Sequence, residues 1–373
     1  MFRGYKIWDF DFKLVLMLIA ISVMGVMVVG SARESYQDKQ VIGVVAGVLL
    51  MIVVSFFHYG LILKLYWLIY GANLVLLSMV LLMGEERGGA TRWLILGAIQ
   101  FQPSETAKIM LILFFAQFIM KHRAKFNTFR ILSLCIILIA IPWIMIFRQP
   151  DLSTSMVLLM LIGVILFSGG ISIKLVITFF ALLIPSAAIL ISLAMEPDST
   201  ILKDYQKTRI LAFVNPEEYA TQEAYQQLNS VTAIASGQLD GKGYKNNEIT
   251  SVINGNFVSK PQTDFIFAVV GEEFGFKGSV ILISLLSLIS LECISIARKS
   301  KDLAGTIIAA GMGGLVAIQS FINIGVATFL LPNTGLPLPF VSAGLTSQLS
   351  LFIGMGVVLN VRTQAKIAER NQQ

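Results

Sequence analysis

Ten separate runs of mostly apolar residues recur along this chain of 373 residues. Each approaches the roughly 20 residues that one helix needs to cross the hydrocarbon core of a bilayer. They fall near 14–30, 40–57, 65–83, 104–120, 130–147, 152–169, 174–195, 279–297, 304–331 and 344–361. Composition agrees: 56% of residues are hydrophobic and only 13% are charged, which reads as a membrane protein rather than a soluble core. The expected fold is an all-α polytopic membrane protein of about ten transmembrane helices, a single integral membrane domain over 1–373. Lys6 and Lys13 precede the first run, which is too long for a signal peptide and lacks a small-residue cleavage site, so it reads as a retained anchor.

Orientation follows from the basic residues, because cytoplasmic loops hold an excess of Lys and Arg. With the N-terminus inside, the inner loops carry Lys64, then Lys121, Arg123, Lys125 and Arg130 with no acid among them, then Lys174, Arg298, Lys299 and Lys301. The outer short loops hold Arg33, Lys39, Arg87, Arg92 and Arg148, each near an acid. Both termini are expected inside. The net charge of +6 is therefore a topology signal, and no basic stripe or aromatic platform supports binding to nucleic acid.

One segment, about 196–263, breaks the short-loop pattern and is expected outside, between spans 7 and 8. Asn215-Pro216, Asn254-Gly255 and the glycines Gly237, Gly241 and Gly243 mark turns within it. A loop this long in a compact bundle is more often functional than idle. From Ala224 to Ile234 it alternates at helical spacing, which predicts a short interfacial helix.

The residues that are scarce narrow the chemistry. The only histidines, His58 and His122, fall in inner loops, and the only cysteines, Cys135 and Cys293, sit mid-span as packing residues. Zinc ligation by these types, a Ser-His-Asp triad and a Cys-His pair at the outer face are disfavoured. The stretch Gly237 to Gly243 has the wrong spacing for a phosphate loop and reads as a turn. Catalysis would run on Asp, Glu, Lys and Arg, with a divalent cation as a further candidate.

Four constellations fall at the outer face. In the first, Arg92 precedes Gln102-Pro103-Ser104-Glu105, with Lys108 three residues further. Pro103 suits a first helical turn, Glu105 would lie beside the positive helix terminus, and Lys108 would share its face. The plain reading is a capped helix with one ion pair. A lysine inside an apolar span is nevertheless costly unless paired or used, and with Arg92 the patch could hold a phosphate or, through Glu105, a hard metal ion. The second is Gln149-Pro150-Asp151-Leu152-Ser153, where Asp151 or Ser153 could equally be an N-cap. The third runs from Lys260 through Asp264 to Glu272 and Glu273, with Asp264 again a natural N-cap. The fourth, Leu331 to Ser342, has too many prolines for a helix, and irregular backbone at membrane depth survives only where it is buried in protein or lines a cavity.

At these residues the chain resembles the SEDS family, the RodA/FtsW/SpoVE group of bacterial cell-wall polymerases. The resemblance rests on Phe101-Gln-Pro-Ser-Glu105 with Ala107-Lys108, Gln149-Pro-Asp151, Lys207-Thr-Arg209, Phe213-Val-Asn-Pro216, Ala233-Ile-Ala-Ser-Gly237, Gly241-Lys-Gly243, Thr263-Asp-Phe-Ile-Phe267 and Gly335-Leu-Pro-Leu-Pro-Phe340. It departs from the family pattern at Ser153, Gln238 and Leu345, where glycines are usual.

The resemblance implies a glycosyltransferase of the bacterial cytoplasmic membrane that polymerises lipid II into lipid-linked glycan strands, partnered by a class B penicillin-binding protein. It makes Asp264 the candidate base. Arg92, Lys108 and a cation (Mg or Mn) at Glu105 are candidates for the diphosphate, while Gln102, Ser104, Gln149 and Asp151 would line or brace the cavity. The opening Tyr5 to Asp11 leans towards an elongation-type, RodA-like protein. The alternative is a lipid II flippase, which should place its polar groups near the midplane rather than at one mouth. A third reading, an inert scaffold, leaves the Asp264 and Glu105 patches unexplained.

Overall fold

In a computed structural model, the described residues are 9–87, 90–96, 99–149, 151–175, 177, 178, 181, 185, 192, 204–221, 224–245, 251, 255 and 257–372. Helices α1 (Phe12–Ala32), α2 (Gln37–Phe56), a short α3 (Tyr59–Lys64) and α4 (Tyr66–Met83) lead into three short strands. After β1 (Glu85–Arg87), β2 (Ala90–Leu96) and β3 (Ile99–Phe101) come α5 (Pro103–Lys121), α6 (Phe129–Arg148) and α7 (Leu152–Ser168). Two loop helices follow, α8 (Asp204–Val214) and α9 (Tyr225–Ser236), then the long α10 (Ile266–Arg298), α11 (Leu303–Ala327) and α12 (Leu345–Gln372).

The protein is a multi-pass bundle in which eight of the described helices are long and apolar enough to cross a membrane, with Leu152–Ser168 apolar but shorter. Nine of the ten predicted runs fall on helices, and the seventh, 174–195, lies largely outside the described residues. The predicted run 279–297 misses the first part of α10, which begins 13 residues earlier at Ile266, carries Glu272 and Glu273, and meets the rest of the helix at a kink at Gly275. The other addition is an antiparallel meander β1-β2-β3, which pairs Glu86 with Thr91 and Leu94 with Phe101 at the α4–α5 connection.

Helix α5 is the central element: 83% of its apolar window is buried, against 28% for α2, α4 and α6. It packs against α4, α7, α11 and α12, while α12 lies along α2 and α11 along α10. The peripheral helices leave Leu16, Leu68, Leu82 and Ile136 exposed, as lipid-facing side chains should be. Cys135 and Cys293 are buried and unbridged, and Cys293 packs on Met355 with sulfurs 3.8 Å apart.

The long loop predicted to lie outside is tied to the bundle through a break in α10. Gly275 has φ +62° and ψ −157°, which frees the carbonyls of Glu272 and Glu273 from the helix ladder. The N–H groups of Lys242 and Gly243 donate to those carbonyls at 2.9 and 3.0 Å, and Phe276 and Lys277 donate back to Gln238 and Leu239. The predicted turn at 237–243 is therefore a clip inserted into the kink. A Cβ on Gly275 would lie 2.4 Å from Gly241 N, and one on Gly241 would lie 2.2 Å from Glu273 O, so only glycine fits at either position. Gln238 adopts φ +49° in the same clip. The predicted helix over 224–234 is α9, but its buried side is polar: Gln227 donates to Val326 O and Leu331 O, and Ser230 to Ala327 O. It packs along α10 and is bonded to the end of α11.

Candidate functional site

The four constellations meet at one end of the bundle, the end predicted to face outward. Pro103 opens α5, as expected, with Gln102 in the N-cap position and Glu105 in the first turn. The Gln102 amide donates to Ser104 Oγ at 3.2 Å. Lys108 Nζ donates to Glu105 Oε1 at 2.7 Å, and the two side chains are 1% and 3% exposed. A lysine and a glutamate so buried are tolerable only as a pair, and removing either strands the other.

Asp151 is the N-cap of α7: its Oδ1 accepts from Thr154 N–H at 3.1 Å and its Oδ2 from Thr154 Oγ1 at 2.8 Å. It is also the counter-ion of Arg92, whose Nη1 lies 3.5 Å away, so strand β2 and helix α7 are joined across a buried carboxylate. Gln149 is buried, and its amide N–H donates to Leu77 O of α4 at 3.2 Å. These contacts make Gln149 and Asp151 bracing groups as well as cavity-lining candidates. Ser153, a departure from the family's glycine, donates to Thr334 O and so pins α7 to the proline-rich segment.

That segment, 331–344, is the irregular backbone expected at membrane depth. Leu336, Leu338, Phe340 and Val341 are each at most 3% exposed, so it is buried in protein as required. Phe340 takes φ +64°, an arrangement that costs a bulky L-residue about 1–2 kcal/mol. It is held there by its edge contact with Phe352 and by Gly25, where a Cβ would come within 2.9 Å of Phe340 O.

Asp264 does not cap α10. The N-cap position belongs to Phe265, with no side-chain cap bond, so the cap role expected from sequence is corrected. The Asp264 carboxylate instead reaches the proline-rich segment: a Cβ on Gly335, at φ +72°, would lie 3.5 Å from Asp264 Oδ2. A continuous line of contacts thus runs from Arg92 through Asp151 and Ser153 to Thr334, Gly335 and Asp264. Beside it, Gln149 Oε1, Gln262 Oε1, Thr334 Oγ1 and Asn323 Oδ1 are buried with no hydrogen-bond partner among the described residues. Buried unsatisfied polar atoms of this kind call for water or a polar ligand.

A family profile described as "Cell cycle protein", covering FtsW, RodA and SpoVE, matches residues 8–367. The chain belongs to the FtsW/RodA/SpoVE family. It is 32% identical over 373 residues to Escherichia coli K12 "Peptidoglycan glycosyltransferase MrdB", covering 98% of this chain and 97% of that protein. Among solved structures, a chain from "Structural coordination of polymerization and crosslinking by a peptidoglycan synthase complex" superposes with a TM-score of 0.79 at 29% identity, over 95% of this chain and 98% of that one. The Thermus thermophilus rod shape determining protein RodA gives 0.69 at 27% identity, over 95% and 96%. Three of the motifs read from the sequence, Gln149–Asp151, Thr263–Phe267 and Gly335–Phe340, come together at the end predicted to face outward.

The side chains present do not by themselves fit a resident metal ion. Glu105 spends Oε1 on Lys108, and among the described residues no group of three or more His, Cys, Asp or Glu comes together. Sequence reasoning missed Asn323 of α11, whose signal was available: a fully polar amide inside an apolar run is expensive unless it has work to do. It also missed the pairing of Lys242 Nζ with Glu272 Oε1 at 2.8 Å, which no local spacing could reveal.

Proposed function

We propose that this protein is a peptidoglycan glycosyltransferase that polymerises lipid II at the outer face of the bacterial cytoplasmic membrane. The observation that carries the reading is the placement of the Asp264 carboxylate against Gly335, on one line of contacts with the Arg92–Asp151 pair. A lipid-linked disaccharide diphosphate carries its own leaving group, so transfer needs one base and a set of cations. Asp264 takes the proton from the acceptor sugar hydroxyl as that oxygen bonds to the donor's anomeric carbon. The bond from that carbon to the diphosphate breaks on the opposite face, which inverts the centre. Arg92 and Lys108, held by Asp151 and Glu105, supply positive charge for the departing diphosphate. Gln102, Ser104 and Gln149 are assigned to line or brace the same site. A Mg or Mn ion at Glu105, for which the described side chains do not supply a full donor set, is tested by chelation: full activity in excess chelator removes it. A class B penicillin-binding protein is the proposed partner for cross-linking, in keeping with the synthase complex to which the chain is similar.

The test is polymerisation of lipid II by purified Asp264→Asn and Asp264→Ala, with glycan length read on a gel. With folding checked by melting temperature, both should lose activity by a factor of order 10²–10⁴. Near-normal chains from Asp264→Asn end the general-base reading. Headgroup translocation in sealed vesicles without chain growth replaces the enzyme with a flippase.

A further inference from the structure

Three consecutive backbone carbonyls, those of Gln262, Thr263 and Asp264, are each held from outside their own segment. Ala343 N–H donates to Gln262 O at 2.9 Å, Ser342 Oγ to Thr263 O at 2.6 Å, and Asn323 Nδ2 to Asp264 O at 2.9 Å. Two of these side chains have a second grip on the proline-rich segment. Asn323 Nδ2 also donates to Leu336 O at 2.7 Å, and Ser342 Oγ also accepts from Leu338 N–H at 2.8 Å. Asn323 and Ser342 are thus twin bridges, each tying the strand of backbone that carries Asp264 to the segment that carries Gly335. They are 1% and 3% exposed.

The orientation of the Asn323 amide is fixed by this chemistry, since two carbonyl oxygens can be met only by its N–H groups. Both donors are spent on backbone, so neither is left to bind a sugar or a phosphate. Ser342 likewise uses its one proton on Thr263 O. Bridges of this kind set the position and direction of one side chain, that of Asp264, relative to Gly335 across which it lies.

We infer that Asn323 and Ser342 are positioning residues for the transfer reaction, holding the Asp264 carboxylate in register with the proline-rich segment through the donors they spend on its backbone. The inference rests on the reading of Asp264 as the base. A base displaced by about 1 Å can cost 10²-fold in rate while substrate binding is little changed. The effect should therefore fall on kcat and spare KM, and the acid limb of the pH–rate profile should stay in place because the base itself is the same.

The experiment compares Asn323→Leu, Asn323→Asp, Ser342→Ala and Ser342→Thr in the purified full-length protein with fluorescent lipid II, alongside melting temperatures. Asn323→Asp has the shape of asparagine with at most one donor, so it keeps the packing if Asn323→Leu fails to fold. The expected result is a loss of about 10–100-fold in kcat for Asn323→Asp and Ser342→Ala, KM within about threefold, and recovery of most activity in Ser342→Thr, which keeps the hydroxyl. Wild-type kcat in either Asn323→Asp or Ser342→Ala overturns the inference, as does a loss carried by KM or by a matching fall in folded protein. Should these variants be wild type while Asp264→Asn is inactive, the bridges fail alone; should Asp264→Asn be active, the underlying reading fails first.

Discussion

Lys242, in the outer loop, places its ammonium 2.8 Å from the carboxylate of Glu272, which is buried at the foot of the kink in α10. The pair sits inside the same clip as the four backbone hydrogen bonds between 238–243 and the kink, so charge and backbone hold the loop at one place. Lys242→Met removes this partner from a carboxylate 2% exposed. Losing one partner of a buried pair costs about 3–5 kcal/mol, and somewhat less here because Lys242 retains contact with solvent. The melting temperature in detergent should fall clearly, and adding Glu272→Leu should recover much of it. A single variant that melts like wild type would show that the backbone clip suffices.

The Glu105–Lys108 pair allows structure and chemistry to be separated. Glu105→Gln should lower both melting temperature and polymerisation, because Lys108 stays buried beside a neutral amide. Replacing both together, Glu105→Leu with Lys108→Met, removes the buried charge and should restore the melting temperature. Polymerisation should stay low if Lys108 carries the diphosphate. A double variant that is stable and makes normal chains would reduce the pair to a packing element.

Orientation is checked by chemical access. In a background lacking Cys135 and Cys293, a cysteine at Glu218, exposed in the turn after α8, should react with an impermeant thiol reagent in intact spheroplasts. A cysteine at Lys299, exposed at the opposite end between α10 and α11, should react only after lysis. The reverse pattern would invert the topology and remove the outer-face reaction.

At the end predicted to lie inside, His58 caps α3: its Nδ1 accepts from Gly60 N–H at 2.9 Å, while Nε2 lies 3.1 Å from Lys301 Nζ. Burial, and then the neighbouring Lys301, lower the His58 pKa from the usual 6.5. The unfolded chain therefore binds more protons at this site than the folded one as pH falls through that value. Stability from the neutral cap is present above pH 6.5 and is lost as pH falls through the depressed folded value. Melting temperature should drop on acidification below neutrality, and His58→Asn, which keeps an acceptor for Gly60 but does not titrate, should flatten part of the drop. An unchanged slope in that variant would assign the acid sensitivity elsewhere.

Nearly all of the bundle was legible along the chain, because lipid imposes its rule locally: a helix long enough to span must be apolar over its own length. Nine runs became helices for that reason, and Pro103, Asp151 and the turn at 237–243 were readable because first-turn prolines, caps and glycine turns depend on near neighbours. The start of α10 was hidden, since Glu272 and Glu273 count against a span in sequence but are met in space by Lys242 and Ser31. Asp264 looked like a cap by its neighbours, and only the fold put Phe265 at the N-cap position and brought the carboxylate near Gly335, 71 residues away. The partners of Asn323 and Ser342 appear only there, because a hydrogen bond between segments far apart in the chain leaves no spacing to read. Sequence determined which residues are costly to bury; tertiary structure decided which of them bury one another.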